Sequence, residues 1–539
     1  MVICDRPIRY VCPMEWARKQ NRSVLQWDKE DCAEIGLVKF DLLGLGMLSA
    51  LHESMDLIER FYGVAVDLAL LPQEDEVYEM LSKADTVGVF QVESRAQMAT
   101  LPRLKPREFY DLVVEVALIR PGPIQGGSVH PYIRRRNGQE EITYLHPLLE
   151  NSLAKTLGVP LFQEQLMQMA IDVANFSPQE ADLLRQAMGA KRSGEKMERL
   201  RKRFYDGMRN NAIVGDVADQ IFSKMSAFAN FGFPESHSAS FAYLVYASTW
   251  MKLHYPAAFC AGLLRSQPMG FWSPNTLVAD ARRHGVRTLP PMVGLSEDRC
   301  SLEPLPNSYE FAIRLGIDQI HGIGSDVATR ISQHGPYESI FDLARKCSLN
   351  ENQLASLAKA GALEFVDSGR SRRQSLWMTR EAAIESRENR LPGMSDDVPI
   401  LPEIKRNDRF NLDISYVGIV TDGHPMELVR ERLEGEVVTS RDLLDIKDGV
   451  KVVVAGVVTH RQRPETAKGV TFISLEDEFG LINVVCSVGV WKRYRGLARF
   501  KNELIVSGKL ERQENVINIV AWRLEPLNFN SYVRPRNFH

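Results

Sequence analysis

The spacing of apolar residues along the 539-residue chain predicts a largely helical protein that begins with short strands. Residues 1 to about 45 show brief runs typical of strands and turns, and residues 37–42 alternate between apolar and polar. Apolar residues then recur at helical spacing up to about residue 305, as Leu48 and Leu51 illustrate. This stretch is therefore predicted to be mainly α-helical.

The last part of the chain has a different pattern. Five runs are rich in Val, Ile and Leu, and a helix-like segment, VWKRYRGLARF, separates the third run from the fourth. The runs are Val452–Val458, Val470–Leu475, Ile482–Val488, Leu504–Leu510 and Val516–Leu524. Five strands with a helix after the third predict an OB-fold barrel. A generic small β-barrel would show the same strands without a ligand, and it remains the alternative.

Composition bounds the class of protein. Hydrophobic residues make up 44% and charged residues 25%, the ordinary balance of a soluble globular protein. No run approaches the roughly 18 apolar residues of a membrane span, so no membrane partner is expected. Asp5 and Arg6 do not suit a signal peptide, and the seven cysteines form no CxxC pair. We expect a reduced, cytoplasmic protein.

Net charge is only -3, so any nucleic-acid site must be local. Nine Lys or Arg residues stand against three acids between Arg185 and Arg209, although a solvated helix face is the simpler interpretation. Further basic residues lie in the predicted barrel and favour contact with nucleic acid. The candidate DNA-binding residues there are Arg461, Arg463, Lys492 and Arg493.

The segment HGIGSDVATRI, residues 321–331, has the spacing of a helix-hairpin-helix unit. Gly322 and Gly324 allow backbone amides at a helix N-terminus to approach a phosphate, which gives binding without base preference. LNENQLASLAKAGAL is a weaker second copy. A plain structural turn is the alternative for one such unit, and two units followed by a barrel favour nucleic acid more strongly.

Six motifs in this order resemble the end of the palm and the fingers of the bacterial C-family DNA polymerases, the DNA polymerase III alpha-subunit family. They are GLVKFDLLGL, GVFQVES, RPGPIQGG, FQEQLMQMA, LLRQAMGAK and FGFPESHSASFA. The Pro234-Glu235 pair resembles the error-prone subgroup, whose replicative relatives usually carry a lysine where Glu235 stands. The resemblance therefore implies DNA-directed DNA synthesis that is error-prone and tolerant of damage.

The fold implied is multidomain α+β, with mainly α-helical fingers and tandem helix-hairpin-helix units followed by a C-terminal OB-fold β-barrel. The expected divisions are 1–45 for the end of the palm, 46–305 for the fingers, 306–370 for the hairpins, 371–447 for a linker with one helix, 448–527 for the barrel and 528–539 for a tail.

The resemblance assigns Asp41 as a catalytic, metal-binding carboxylate, with Lys39 beside the nucleotide phosphates. Nucleotidyl transfer uses two Mg²⁺ ions held by carboxylates. The chain contains no Asp-x-Asp motif to supply the other two ligands, and the Glu74/Glu76 and Glu476/Glu478 pairs do not stand where the family carries them. We expect a carboxy-terminal part of a polymerase that is inactive alone.

The fingers motifs imply a further set of side chains that contact the incoming triphosphate or the template-primer. They are Arg120, Arg185, Lys191, Arg192, Ser236 and His237. Arg and Lys neutralise phosphate charge, whereas Ser and His can donate hydrogen bonds to it. Glu235 is expected close to the same phosphates, where the loss of a positive charge would relax discrimination.

The partners implied are a DNA template-primer, deoxynucleoside triphosphates, and a sliding clamp or accessory mutagenesis proteins. Residues 374–378, QSLWM, resemble a clamp-binding pentapeptide only superficially, and a core-facing helix is the preferred interpretation. The alternative function is a non-catalytic nucleic-acid-binding or accessory protein derived from a polymerase.

Overall fold

A computed structural model of the chain describes residues 2–17, 22–39, 44–120, 129–189, 194–229, 232–306, 310–366, 369–388, 398–433, 435–464, 467, 469–513, 516–527 and 536–538. Within these ranges, no helix has both the length and the apolar character that crossing a lipid bilayer requires.

The first part of the chain consists of short strands and turns, as predicted. Its strands form two antiparallel pairs, in which Val2 lies opposite Lys39 and Met14 lies opposite Leu25. The elements are strands Val2–Ile3, Met14–Trp16, Ser23–Leu25 and Val38–Lys39, the 3-10 helix Ile8–Tyr10 and the helix Lys29–Glu34. The strand that precedes Asp41 is therefore held by pairing with Val2 and Ile3.

Helices dominate residues 45–283, which confirms the helical prediction. The α-helices are Leu45–Tyr62, Asp75–Ser82, Arg95–Leu104, Phe109–Leu118, Val129–Arg136, Glu150–Leu153, Gln163–Ala174, Pro178–Gly189, Gly194–Asn210, Asp216–Ala229, Glu235–His254, Pro256–Arg265 and Pro274–Arg283. The 3-10 helices are Leu68–Leu70, Pro147–Leu149 and Ala154–Thr156. Glu235–His254, the central helix, buries side chains all round, since the consecutive residues Val245, Tyr246 and Ala247, which point about 100° apart, are all buried.

Three hydrophobic clusters hold this part of the molecule together. One surrounds the central helix and includes Leu112 and Val245, and another joins Leu166 to Phe204. The third, the long core, runs from Met47 to Ile419. It therefore joins the helix Leu45–Tyr62 to residues that lie more than 300 positions later in the sequence.

A three-stranded sheet lies in the region of the long core. Ser301–Pro304 pairs antiparallel with Phe311–Arg314, which also pairs parallel with Thr288–Leu289. The predicted boundary between residues 305 and 306 falls between the two strands of this hairpin. Backbone pairing thus crosses the boundary that helical periodicity alone suggested.

The tandem helical hairpins follow this sheet. Their elements are the 3-10 helix Ile317–Gln319 and the helices Ser325–Gln333, Ile340–Cys347 and Glu351–Lys359. Gly322 has a φ of +90°, and a Cβ there would lie 3.0 Å from Ser356 Oγ. Glycine is therefore required both by the left-handed backbone and by the close approach of the second hairpin.

The region predicted as a linker with a helix contains further helical elements. The described residues between 371 and 447 form α-helices Arg372–Glu388, Arg406–Tyr416 and Glu427–Arg430 and a 3-10 helix, Asp442–Leu444. An ion pair of 2.6 Å joins Arg372 to Asp413. Few apolar residues, such as Phe410 and Ile414, fix these helices, so the hydrophobic periodicity was weak.

The C-terminal OB-fold barrel is confirmed. Its five strands are Lys451–Gln462, Thr471–Glu476, Leu481–Cys486, Glu503–Gln513 and Val516–Pro526. The first strand pairs with the second and with the fourth, and the fifth lies between the third and the fourth, which closes the barrel. Two short helices, Val488–Arg493 and Arg495–Phe500, separate strands three and four. Arg536–Phe538, in the predicted tail, pairs parallel with the first strand.

Candidate functional site

Two residues from different motifs, Gln163 and Phe233, meet at the N-terminal end of the central helix. Phe233 forms a parallel bridge with Phe162, and the backbone N–H of Gln163 donates to the Phe233 carbonyl over 3.0 Å. The Gln163 side-chain amide donates to the Gly232 carbonyl over 2.9 Å. The FQEQ and FGF segments are thus fixed to each other by backbone and side-chain bonds.

Both arginines expected at the nucleotide and described in the structure contact this junction. The Arg120 guanidinium lies 3.7 Å from the centroid of the Phe233 ring, and burial lowers the pKa of Arg120. Arg185 donates to the Gln163 side-chain oxygen over 3.3 Å and pairs with Asp182 at 2.7 Å. Two positive charges therefore reach the same pair of residues, one from the bend after the helix Phe109–Leu118 and one from the helix Pro178–Gly189.

The first turn of the central helix adds Ser236 and His237 to the same place. The His237 ring stands edge-on to Phe233 at 5.0 Å, and Ser236 is exposed. A helix N-terminus presents unbonded amides and partial positive charge. The arrangement of two guanidiniums, a hydroxyl and a helix N-terminus suits a phosphate-bearing ligand.

Several predicted residues are not described in full. Asp41, Lys191 and Arg192 lie outside the described residues, and only the backbone of Lys39 is described. Of the predicted nucleotide set, the structure brings together Arg120, Arg185, Ser236 and His237. Phe233 and Gln163, around which they converge, were not singled out from the sequence, although both stand inside the quoted motifs.

The Glu235 side chain makes a different contact from the one expected for it. The Tyr110 hydroxyl donates to a Glu235 carboxylate oxygen over 2.8 Å, and the Glu235 backbone N–H donates to Glu164 over 3.0 Å. The expectation that this side chain faces the phosphates assumed only its position in the motif. The first helical turn instead directs the carboxylate towards Tyr110.

One group of potential metal ligands occurs among the described residues. The negative charge of its two aspartates is already paired with a lysine. Asp85, Asp280 and His284 bring their ligand atoms within 4.8 Å of one another. The Lys252 ammonium lies 2.8 Å from both aspartates. Burial opposes ionisation of Asp85, but His284 and Lys252 outweigh it and hold the pKa of Asp85 below its usual range. A buried ammonium takes the position that a metal ion would need.

Three of the four glutamates in the pairs discounted from the sequence are also engaged elsewhere. Glu74 accepts from the Trp250 indole over 3.1 Å and contacts His254 at 2.6 Å. Glu476 pairs with Arg283 at 3.2 Å, and Glu478 accepts from Arg430. These carboxylates serve contacts within the protein.

The first helical hairpin exposes its glycine turn. Gly322 and Gly324 are both exposed, and Gly324 is the N-cap of the helix Ser325–Gln333. The first amides of a helix have no acceptor within it, so this turn has donors for a phosphate oxygen. The predicted pair of glycines thus stands where a DNA backbone can reach it.

The basic residues of the barrel divide into a buried one and an exposed group. Arg461 is buried, donates to the Ala498 carbonyl over 2.7 Å and to the Lys501 carbonyl, and has its pKa lowered by burial to about 10. Arg461 therefore anchors the segment 488–501, here called the cap segment. The exposed residues are Arg463, which lies over Trp491 at 5.7 Å, and Lys492 and Arg493.

Comparison with sequence families gives four matches along the chain. "Bacterial DNA polymerase III alpha NTPase domain" matches residues 1–44, and "Bacterial DNA polymerase III alpha subunit finger domain" matches residues 47–212. "Helix-hairpin-helix motif" matches residues 285–375, and "OB-fold nucleic acid binding domain" matches residues 452–527.

Curated relatives match over nearly the whole chain and are named "Error-prone DNA polymerase". The protein of Nocardia farcinica is 57% identical over 100% of this chain, and that of Corynebacterium glutamicum is 56% identical over 99%. That of Mycobacterium tuberculosis strain H37Rv is 55% identical over 100%. The matched regions cover 48%, 50% and 49% of these relatives, so the chain spans about half their length.

Proposed function

Because the chain belongs to the bacterial DNA polymerase III alpha-subunit family, and is similar to its error-prone members, we propose that it takes part in error-prone, damage-tolerant DNA synthesis. The observation that carries this proposal is the convergence of Arg120, Arg185 and His237 on Phe233 and Gln163, with Ser236 exposed beside His237 in the first turn of the central helix. In a helical scaffold without a ligand site, side chains from four separate motifs would not be expected to meet at Phe233 and Gln163.

The ligand proposed for this cluster is the triphosphate of an incoming deoxynucleotide. Arginine stays protonated even when burial lowers its pKa, so Arg120 keeps its charge. A half-buried guanidinium attracts phosphate more strongly than a solvated one because less water screens it. Stacking on Phe233 fixes the plane of the guanidinium, and Ser236 can donate a hydrogen bond to a phosphate oxygen. Lys191 and Arg192 are proposed to join this set.

We propose that Asp41 is a ligand of the catalytic Mg²⁺, with Lys39 beside the phosphates. A carboxylate is the hard oxygen donor that Mg²⁺ prefers, so the residue type fits the ion. One carboxylate does not hold two ions, and the chain has no Asp-x-Asp motif to assist it. When bound, Mg²⁺ would activate the primer hydroxyl and neutralise the triphosphate.

The template-primer is the proposed partner of the hairpins and the barrel. The exposed turn at Gly322 and Gly324 fits a phosphate backbone, and Arg463, Lys492 and Arg493 offer exposed cations beside aromatic rings. Arg461 would act by supporting the cap segment. The division into palm end, fingers, hairpins, linker, barrel and tail is kept as a proposal, as are a cytoplasmic location and contact with a sliding clamp or accessory mutagenesis proteins.

Primer extension by the complete polymerase that contains this chain tests the proposal. Asp41→Asn should lower kcat by several orders of magnitude and leave template-primer affinity little changed, because the ligand acts in the transition state. Arg120→Ala should mainly raise the KM for nucleotide, by a factor that corresponds to about 1–3 kcal/mol. The 539-residue chain alone should give no templated incorporation. DNA binding without extension by the complete protein would favour the non-catalytic alternative.

A further inference from the structure

A column of aromatic rings leads away from the proposed nucleotide site, which is the cluster of Arg120, Arg185, Ser236 and His237. The Phe233 ring, which carries the Arg120 guanidinium, meets the His237 ring at 5.0 Å, and His237 meets Phe241 at 4.4 Å. Phe241 meets Phe90 at 5.3 Å with the two rings tilted by 36°. These centroid distances are those of favourable aromatic pairs. The column joins the FGFPESHSASFA motif to the GVFQVES motif.

The far end of the column holds the backbone that follows Asp41. At Gly44, a Cβ atom would lie 3.4 Å from the Phe90 ring and 3.8 Å from the Phe241 ring. Gly44 has a φ of +74°, and it is the N-cap of the helix Leu45–Tyr62. The residue three positions after Asp41 therefore rests against Phe90 and against Phe241, the ring that contacts His237.

We propose that Phe90 and Phe241 are positioning residues that couple the side chains proposed to contact the nucleotide to Gly44, the N-cap of the helix Leu45–Tyr62. This inference rests on the proposed polymerase function. Closely packed rings transmit a displacement because there is no free volume to absorb it. A nucleotide that fixes Arg120 and His237 would therefore also fix the backbone at Gly44, which follows the proposed metal ligand Asp41 by three positions in the sequence.

Phe90 is the better residue to change. Phe241 is buried in the cluster around the central helix, whereas Phe90 also lines a cavity of about 500 Å³ with Gly46 and Trp272. A smaller side chain at 90 therefore removes the ring contact without leaving a closed void.

The test is steady-state incorporation by the complete polymerase, measured below the unfolding temperature of each variant. Phe90→Leu should lower kcat about ten- to a hundredfold and change the KM for nucleotide little, because misplacement of a reacting group by about 1 Å has an effect of that size. Phe222→Leu removes another half-buried ring, one that pairs with Phe204 at 5.8 Å, and should leave both constants unchanged.

The possible results distinguish failure of the proposed polymerase function from failure of the positioning role. Absence of extension by the unmodified polymerase would reject the proposed function itself. If the unmodified enzyme extends primers, an unchanged kcat in Phe90→Leu, or a rise in KM alone, overturns the positioning role. Should Phe90→Leu not fold, Phe90→Met retains similar volume without a ring, and the same decrease in kcat is then required of it.

Discussion

The guanidinium of Arg95 lies 4.6 Å from the ring centroid of Phe472 and joins the helix Arg95–Leu104 to the second strand of the barrel. Arg95 also donates to the Val484 carbonyl over 2.9 Å and to the Asn518 side-chain oxygen over 2.8 Å. Strands two and three form the face on which OB folds commonly bind oligonucleotides. In this molecule part of that face is occupied by the helical region.

The Arg95 contacts should stabilise the docked barrel. Arg95→Ala leaves Val484 and Asn518 without their buried donors, so the free energy of unfolding should fall by about 1–3 kcal/mol. Chemical denaturation of the chain, together with limited proteolysis between the helical region and the barrel, measures the loss. Arg523→Ala is a matched control, because Arg523 is largely exposed on the fifth strand, and it should change stability by less than about 0.5 kcal/mol. Equal effects of the two substitutions would contradict the docking role.

Since the strand face is partly covered, the cap segment should make the main barrel contact with single-stranded DNA. Its exposed cations, Lys492, Arg493, Arg495, Arg499 and Lys501, form no ion pair with the described residues, and no acid lies among residues 488–501. Replacing Arg493, Arg495 and Arg499 by Ala should reduce the slope of log affinity against log salt by about two, given about 0.7 per phosphate contact. Fluorescence anisotropy with an oligonucleotide measures the slope. Arg523→Ala serves as control, and a slope unchanged in the triple variant excludes the cap segment.

Glu235→Lys should not tighten nucleotide binding. The substitution removes the acceptor of the Tyr110 hydroxyl and adds a second ammonium near Lys155, whose Nζ lies 6.0 Å from the Tyr110 ring. We expect a loss of about 1 kcal/mol in stability and an unchanged KM for correct and incorrect nucleotides. Glu235→Gln retains an acceptor and should behave like the unmodified protein. A KM several-fold lower in Glu235→Lys would show that the side chain reaches the phosphates after all.

Stability should fall with rising pH because of Glu115. This carboxyl is fully buried, neither oxygen has a hydrogen-bond partner among the described residues, and burial raises its pKa well above the usual range. Above about pH 4.3 the unfolded chain ionises at this position while the folded chain keeps the proton, so the folded state loses up to about 1.4 kcal/mol per pH unit until its own pKa is reached.

Glu115→Gln removes this titration, so its stability relative to the unmodified chain should increase between pH 5 and pH 8. Denaturation at several pH values measures the difference. Glu381→Gln, which changes an exposed glutamate, should show no such trend. A difference between Glu115→Gln and the unmodified chain that does not vary with pH would mean that Glu115 is ionised in the folded protein.

The sequence predicted the barrel well because its five strands are runs rich in Val, Ile and Leu, and many of their apolar residues, such as Val454 and Ile473, face one core. Only one helix was predicted between residues 371 and 447, because ion pairs such as Arg372–Asp413 help to fix the helices there, and charge pairing leaves no periodic signal. At the site, motifs identified Arg120 and His237. Their shared contact with Phe233 depends on a long-range bridge to Phe162 that no local pattern contains.

The long core has a mechanical consequence. Met47, Ile313 and Leu357 belong to one buried cluster, so the helix that follows the Asp41 segment and the helical hairpins share side chains that pack against each other. A force applied to the hairpins would therefore act directly on the helix Leu45–Tyr62, because both parts contribute side chains to this cluster. Calorimetry of the chain should accordingly show these two parts melting in a single cooperative transition.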